Sequence, residues 1–279
     1  MYSLVQSADL RGEEGEPLPQ PWKGLDQLEV QFRRGEFSLV VAGPGTGKSL
    51  FALNLAIRSN VPCLYFSADS TSTTQTVRAT AMITGGDVKQ IKQALLDDAF
   101  EQYQGALSER WWVRFDFSAR PAPADMETLL LCYLEVFGVT PHLIVVDNVT
   151  NVDAAGQSAN ADSFAFALEE LFEYLAEMAR ETSAHVLGLH HTTGEHSDGL
   201  HPIPLSGVKG KVARVPALVI TIHKEDGGDG VRILNASPVK NREGFEDSSG
   251  GTFASLILDR STLLLEDVET ELPATFATQ

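Results

Sequence analysis

The segment from Ala42 to Ser49, with the sequence A-G-P-G-T-G-K-S, constrains the fold more than any other part of the chain. An apolar run at 37–42 leads into it, and a segment with apolar residues at helical spacing follows at 49–58. The glycines let the backbone curl so that successive N–H groups point inward, and the helix adds the positive end of its dipole. A strand, a glycine loop and a helix in this order are typical of a phosphate-binding loop, and a chance glycine-rich turn between a strand and a helix is the alternative.

The pattern assigns roles to individual residues of this loop. The Lys48 ammonium is expected to reach the β- and γ-phosphates of ATP, and the Ser49 hydroxyl to ligate Mg²⁺. The first position is Ala42, where the strict pattern has glycine. The predicted ATP contacts are Gly43, Pro44, Gly45, Thr46, Gly47, Lys48, Ser49 and Leu50.

The remaining sequence alternates between strand-like and helix-like segments. Strands are predicted at 37–42, 62–68, 110–117, 142–147 and 184–191, and helices at 25–32, 49–58, 72–83, 87–104, 125–137 and 163–180. Such alternation predicts a mostly parallel sheet with helices on both faces. After about residue 215, strand-like runs joined by Gly, Asp and Ser turns predict further strands, partly antiparallel. The predicted fold class is therefore α/β.

The ends of the chain differ from its middle. Residues 1–24 are rich in Glu, Pro and Gly, which predicts a flexible or partner-docked arm. Residues from 266 to 279 are acidic and contain Pro and Thr, which predicts a loose tail. Residues 25–265 are left as one domain, a size that a single core can support.

Composition limits the classes of protein that the chain can belong to. With 43% hydrophobic and 21% charged residues, and no apolar run near the roughly 20 residues of a membrane span, it is typical of a globular protein without a membrane partner. Cys63 and Cys132 both lie in apolar runs and are predicted to be buried thiols, which fits a reducing cytoplasm. The net charge of −17 argues against nucleic-acid binding by the whole surface but leaves room for a basic loop or a ring lumen.

Three further positions are candidates for the chemistry of hydrolysis. Asp147 ends the run H-L-I-V-V-D and is expected to hold Mg²⁺ through water, unless it only ends the strand. Asp69 follows a strand that we expect to lie beside the loop strand, where it would either activate water or cap the next helix. His190 and His191 end a strand predicted to lie between the Asp147 strand and the loop strand, a position that can sense the γ-phosphate.

In their order these segments resemble the RecA-fold hexameric helicases, in particular the ATPase domain of DnaB-type replicative helicases and the plasmid RepA helicases. The family carries an F-S-x-E motif with the catalytic Glu, and this chain has F-S-A-D at 66–69. The resemblance therefore gives the catalytic role to Asp69, which is one methylene shorter. It also implies that His191 occupies the family's Gln or His position at the end of the strand that follows Asp147.

The sequence V-K-N-R-E-G at 239–244 is similar to the family's K-Q-R-N-G segment. This likeness implies that Lys240 and Arg242 form a lysine and arginine-finger pair at the ATP of the neighbouring subunit. A cation inserted there would stabilise charge in the transition state. An exposed basic turn is the alternative.

The resemblance implies a RecA-like P-loop NTPase that forms a homo-oligomeric ring, a hexamer, and acts as a phage- or plasmid-type replicative DNA helicase. Residues 1–30 would then link subunits, and a primase or loader would be a partner. A RecA-type recombinase filament shares the same core. A nucleotide-gated regulatory or scaffold ATPase without translocation is a further alternative, favoured by the acidic balance and by Asp69.

Contacts to single-stranded DNA would come from the loops after Asp147, at 149–162, and after His191, at 192–214. Only the second loop carries lysine or arginine, namely Lys209, Lys211 and Arg214. A few such cations in each subunit, repeated around a ring, can hold phosphates in spite of the negative net charge. An ordinary surface loop is the alternative.

Overall fold

The computed structural model describes residues 13–153, 161–192, 194–208, 214–227 and 231–268. The helices are α1 (Lys23–Gln27), α2 (Lys48–Arg58), α3 (Ser72–Thr84), α4 (Val88–Leu96), α5 (Glu101–Ser108), α6 (Pro123–Phe137) and α7 (Ala161–Thr182). The strands are β1 (Phe37–Ala42), β2 (Cys63–Ser67), β3 (Val113–Asp116), β4 (Leu143–Asp147), β5 (His185–His191), β6 (Leu218–Asp226), β7 (Arg232–Asn241), β8 (Ala254–Leu258) and β9 (Leu265–Asp267).

In the described part of the chain the strands form one sheet in the order β3-β2-β4-β5-β1-β6-β7-β8-β9. The strands from β3 to β6 in this order pair in parallel, whereas β7, β8 and β9 are antiparallel. The carboxyl ends of the parallel strands therefore meet at one edge, here called the carboxyl edge, and their amino ends at the opposite amino edge. The predicted α/β class, with a mostly parallel sheet and C-terminal antiparallel strands, is confirmed.

The sheet separates two hydrophobic cores, because successive side chains of a strand point to opposite faces. On β1, Val40 and Ala42 belong to the first core, which also takes α2, whereas Leu39 and Val41 belong to the second. Phe172 of α7 packs in the second core, with its ring edge against Phe37 at a centroid distance of 5.3 Å. Both faces of β1 are covered, so the strand that precedes the phosphate loop is buried along its whole length.

Two local predictions are wrong. The strand before Asp69, β2, does not lie beside β1, because β4 and β5 lie between them. The predicted helix at 87–104 is broken into α4 and α5. Asp97 caps the end of α4, and Asp98 takes a left-handed backbone conformation with φ of 54°, which a continuing right-handed helix excludes.

Both ends of the chain depart from their predicted boundaries. Residues 1–12 and 269–279 lie outside the described residues, but residues 13–24 pack on the domain instead of forming a flexible arm. Trp22 is fully buried, stacks on Phe51 with ring centroids 4.5 Å apart, and donates its indole N–H to the Leu265 carbonyl at 2.7 Å. At the other end β9 extends to Asp267, whose carboxylate accepts backbone N–H bonds at the start of α1. The two ends therefore hold each other against the first core.

The prediction for the cysteines is half right. Cys63 is buried in β2, and burial raises the pKa of its thiol. Cys132 is exposed, because it lies on the outward face of α6, where Leu131 and Val136 are also exposed. Among the described residues no helix is both long and apolar enough to cross a membrane.

We predict that Trp22→Ala lowers the free energy of unfolding by about 3–5 kcal/mol, because a fully buried aromatic ring is removed from a packed core. Trp111→Ala is the matched control, since that ring is 52% exposed. Urea unfolding followed by circular dichroism measures both variants. Equal stability of the two variants would show that the 13–24 segment does not belong to the folded core.

Candidate nucleotide site

The loop between β1 and α2 leads into a helix start that no side chain caps. Gly47 is the N-cap of α2, and it offers no side-chain acceptor to the first N–H groups of the helix. Residues 44–45 are exposed, while the Lys48 side chain is buried. The side chain of Leu50 packs against the first core, so only its backbone N–H is available to a phosphate. N–H groups at the positive end of a helix bind phosphate oxygens.

The Lys48 ammonium lies 3.1 Å from Nε2 of His191. Because a lysine ammonium can only donate, Nε2 accepts and the ring proton is on Nδ1. Burial lowers the pKa of Lys48, and burial together with Lys48 lowers the pKa of His191. His191 is therefore neutral at pH 7, and its 3.7 Å approach to the Asp69 carboxylate is not an ion pair.

His190 takes a different position from its neighbour. It is 7% exposed, and burial lowers the pKa of its ring to about 4. Because the two residues are adjacent in β5, they point to opposite faces of the sheet. Of the two histidines, His191 is the one that contacts the phosphate-loop lysine.

The Asp147 carboxylate reaches the start of α2. The Ser49 hydroxyl donates to one of its oxygens at 3.1 Å, and the Tyr65 hydroxyl donates to the other at 3.1 Å. Burial raises the pKa of Asp147, an effect that Lys48 and these two hydroxyls oppose. A hydroxyl and a carboxylate oxygen that converge in this way fit Mg²⁺, which prefers hard oxygen ligands. The sequence reasoning missed Tyr65, which looks like an ordinary aromatic residue of a buried strand.

The Asp69 side chain faces the site and does not cap a helix. The N-cap of α3 is Thr71, whose hydroxyl accepts the N–H of Thr74 at 3.3 Å. The Asp69 carboxylate accepts side-chain amide bonds instead, from Asn151 at 3.0 Å and from Asn148 at 3.5 Å. Of the two roles that the spacing left open, the described contacts exclude the cap. They leave a carboxylate beside His191 at the carboxyl edge.

The segment after β5 rests directly on the phosphate loop. Gly199 has a φ of +67°, and a Cβ there would lie 2.1 Å from the Thr46 hydroxyl oxygen. A Cβ on Gly43 would lie 2.5 Å from the carbonyl oxygen of Ser197. The Gly199 carbonyl is held in turn by the N–H of Lys224 on β6, at 2.7 Å. Glycine is therefore required on both sides of this contact.

Lys240 and Arg242 lie far from the phosphate loop of their own chain. In the antiparallel pair of β6 and β7, Lys240 is opposite Val219, at the amino edge of the sheet. The Lys240 ammonium donates to the Arg214 and Pro216 carbonyls at 2.9 and 2.7 Å, and Arg242 donates to the Arg214 carbonyl at 3.1 Å. At about 3.3 Å per residue, the length of β1 separates this edge from the loop, so neither cation reaches its own site.

The predicted DNA contacts are only partly described. Lys209 and Lys211 lie outside the described residues. Arg214 is exposed, but its guanidinium pairs with Glu169 on α7 and lies 3.8 Å from Glu173. A contact between Arg214 and a DNA phosphate would therefore compete with these carboxylates.

Comparisons with known proteins agree with this geometry. A family model described as an AAA domain matches residues 6–196. The Gene 65 protein of Mycobacterium phage L5 is 44% identical over 267 residues, which cover 96% of this chain and 99% of that protein. The Gene 65 protein of Mycobacterium phage D29 is 42% identical over 231 residues, which cover 83% of this chain and 99% of that protein.

Two solved structures share the fold. One, described as an ATPase domain, has a TM-score of 0.74 at 15% identity, covering 95% of this chain and 96% of that one. The other, a DnaB-like replicative helicase described with its interactions with primase, has a TM-score of 0.74 at 16% identity and covers 95% of this chain. This chain spans 65% of the length of that helicase. At such identities the likeness establishes the fold alone, and it confirms the predicted RecA-like core.

We predict that Gly199→Ala lowers ATP affinity about tenfold or more, because overpacking by one methyl group costs about 1–3 kcal/mol and the Thr46 side of the phosphate loop must move. Gly194→Ala is the matched control. Gly194 also has a positive φ, of +81°, but a Cβ there would meet nothing within 4 Å. Titration with a fluorescent ATP analogue measures both. Equal affinities would mean that the segment after β5 does not bear on the nucleotide site.

Proposed function

Because the chain belongs to the AAA-domain family, we propose that it hydrolyses ATP as a ring-shaped homo-oligomer and moves along single-stranded DNA as a replicative helicase. The convergence of five side chains supports the proposed ATP hydrolysis. Lys48, Ser49, Asp69, Asp147 and His191 meet at the carboxyl edge of one sheet, although they come from four different strand ends or loops. This set can hold phosphates, accept a divalent cation and supply a base, and Lys48 is the one lysine or arginine among these five side chains.

The chain's own residues divide the work of hydrolysis. The loop N–H groups and Lys48 bind the phosphates, while Ser49 and Asp147 would hold Mg²⁺. The cation, when bound, would neutralise charge on the phosphate oxygens. Asp69 orients a water for attack and accepts its proton. His191, which contacts both Lys48 and Asp69, is placed to exchange its lysine contact for one to the γ-phosphate.

The second cation would come from a neighbouring subunit. Lys240 and Arg242 lie at the amino edge and cannot act on their own site, so they can complete a site only in trans. A subunit that presents its carboxyl edge to the amino edge of the next makes a heterologous contact, and such contacts close into rings or continue as filaments. We favour a hexameric ring with the Arg242 finger donated in trans, and a recombinase filament is the other outcome of the same contact.

The DNA contact is proposed to lie on the segment that continues from Gly199. This segment touches Thr46 of the phosphate loop, and it leads to Lys209 and Lys211. DNA bound by those lysines and a nucleotide bound by the phosphate loop would therefore both affect the conformation of this segment. A DnaB-like helicase of similar fold is described with its interactions with primase, and a primase or loader is the protein partner that we would test first.

The first test measures ATP hydrolysis with and without single-stranded DNA. Lys48→Ala and Arg242→Ala should each lose activity by about a thousandfold or more, because a phosphate-binding lysine or a finger is removed. Mixed in equal amounts, the two variants should regain activity at about one quarter of the interfaces, where an intact Lys48 meets an intact Arg242.

Lys89→Ala, which removes an exposed lysine of α4, is the control and should keep full activity. If no mixture recovers activity, the site is not shared between subunits. If DNA does not change the rate and no ring forms with an ATP analogue, the chain is a nucleotide-gated regulatory or scaffold ATPase. Electron microscopy of the same sample separates rings from filaments.

The second test measures the salt dependence of binding to single-stranded DNA with an ATP analogue and Mg²⁺. Lys209→Ala/Lys211→Ala should weaken binding and reduce the slope of log K against log salt by about 0.7 for every DNA phosphate that is no longer neutralised. Lys89→Ala/Lys92→Ala removes two exposed lysines of α4 and is the matched control. Equal slopes for the two double variants would show that the segment after β5 does not contact DNA.

A further inference from the structure

The Asp69 carboxylate is held by two asparagines that neither the family motif nor the spacing singles out. The Asn151 amide donates to Oδ1 of Asp69 at 3.0 Å, and the Asn148 amide approaches Oδ2 at 3.5 Å. Both bonds run from amide to carboxylate, because an ionised carboxylate can only accept. The closer bond, from Asn151, has the length of a regular hydrogen bond, whereas the Asn148 contact is at the limit.

The turn that carries Asn151 is fixed to the sheet. It is a 3-10 turn, Val149–Asn151, that directly follows β4. Val149 is fully buried in the second core, and it packs on β5 where Gly188 lacks a side chain. A Cβ on Gly188 would lie 2.8 Å from Val149 Cγ1, so the glycine allows the turn its close approach. A donor on an anchored turn can hold a partner in place, whereas a donor on a loose loop cannot.

We propose that Asn151 is a positioning residue that holds the Asp69 carboxylate in the orientation needed to activate water. This role deepens the proposed ATP hydrolysis and rests on it. Asp69 replaces a Glu and has a shorter reach, so a small rotation of its side chain moves the carboxylate away from the γ-phosphate. Displacement of a reacting group by about 1 Å costs on the order of a hundredfold in rate. An amide donor that fixes this carboxylate should therefore have a large effect on kcat and a small effect on nucleotide binding.

Four variants test the role. Asn151→Ala and Asn151→Leu remove the donor, and the second keeps a side chain of similar size. Asn151→Gln keeps the amide on a longer stem. Gln93→Ala is the matched control, because it also removes an amide that donates to an aspartate, at 2.9 Å to Asp97, but on α4. Steady-state ATP hydrolysis with single-stranded DNA gives kcat and KM, and thermal unfolding reports whether each variant is folded.

We expect kcat to fall about tenfold to a hundredfold in Asn151→Ala and Asn151→Leu, with KM for ATP and the melting temperature close to wild type. Asn151→Gln should recover part of kcat, and Gln93→Ala should match wild type. A structural role would lower stability instead, and it would favour Leu over Gln. Equal kcat for Asn151→Ala and Gln93→Ala would overturn the proposal.

A double-mutant cycle shows whether Asn151 acts through Asp69. In an Asp69→Ala background, Asn151→Ala should have no further effect on kcat, because its partner is already absent. Additive losses would assign Asn151 another role. If the wild-type chain binds ATP but releases no phosphate, the proposed hydrolysis is wrong, and so is the positioning role that rests on it. Failure of the cycle in an active wild-type enzyme removes only the positioning role.

Discussion

The site depends on one constraint, the parallel order β2-β4-β5-β1. Pairing places Val146, Gly188 and Leu39 at one level across β4, β5 and β1. β4 therefore ends soon after this level at Asp147, whereas β1 and β5 continue for three residues, or about 10 Å. This stagger leaves a recess at the carboxyl edge, into which the start of α2 brings Ser49 within 3.1 Å of the Asp147 carboxylate. The buried Tyr65 of β2 closes the far side of the recess, which is why Asp147 keeps both oxygens bonded although it is fully buried.

The sequence predicts the parts of this arrangement that depend on local pattern, and it misses those that depend on long-range packing. The A-G-P-G-T-G-K-S loop and the strand that ends in Asp147 follow from apolar periodicity and from the phosphate motif. The predicted place of β5 between that strand and β1 is also confirmed, although it is a long-range feature. Spacing cannot show whether Asp69 caps a helix or acts as a base, since a residue just before a helix can do either. The structure excludes the cap, because Thr71 caps that helix. The burial of Trp22 was hidden in a segment whose average composition is polar, because Trp22 and Leu18 can anchor a stretch that is otherwise rich in Glu, Pro and Gly. Strand adjacency was wrong for β2 because sequence order does not give the order of strands across a parallel sheet.

At the amino edge, Lys240 is partly desolvated, and the phosphates of a neighbouring nucleotide would offset the electrostatic cost of this desolvation. Burial and the nearby Arg242 lower the pKa of Lys240 to about 8. Backbone carbonyls of 214–216 accept its N–H groups, but carbonyl dipoles compensate a desolvated cation only in part. The phosphates of an ATP bound to the next subunit would favour the charged form of Lys240 and so raise its pKa. Under the proposed trans arrangement, nucleotide binding would therefore strengthen the contact between subunits.

The segments that follow β4 and β5 both contact the nucleotide site, and each contacts a different group there. The segment after β5 contacts the phosphate loop at Thr46, where it bears on binding. The turn after β4 holds Asp69 through Asn151 and, under the proposed mechanism, would bear on turnover. Because β4 and β5 are neighbours, a strand of DNA that crosses the ends of both would act on affinity and rate through separate contacts. If Asp69 is the proposed base, its dependence on the Asn151 amide would make the second contact more consequential than it would be with a longer Glu. The shorter side chain would then tie turnover more closely to the position of the turn after β4.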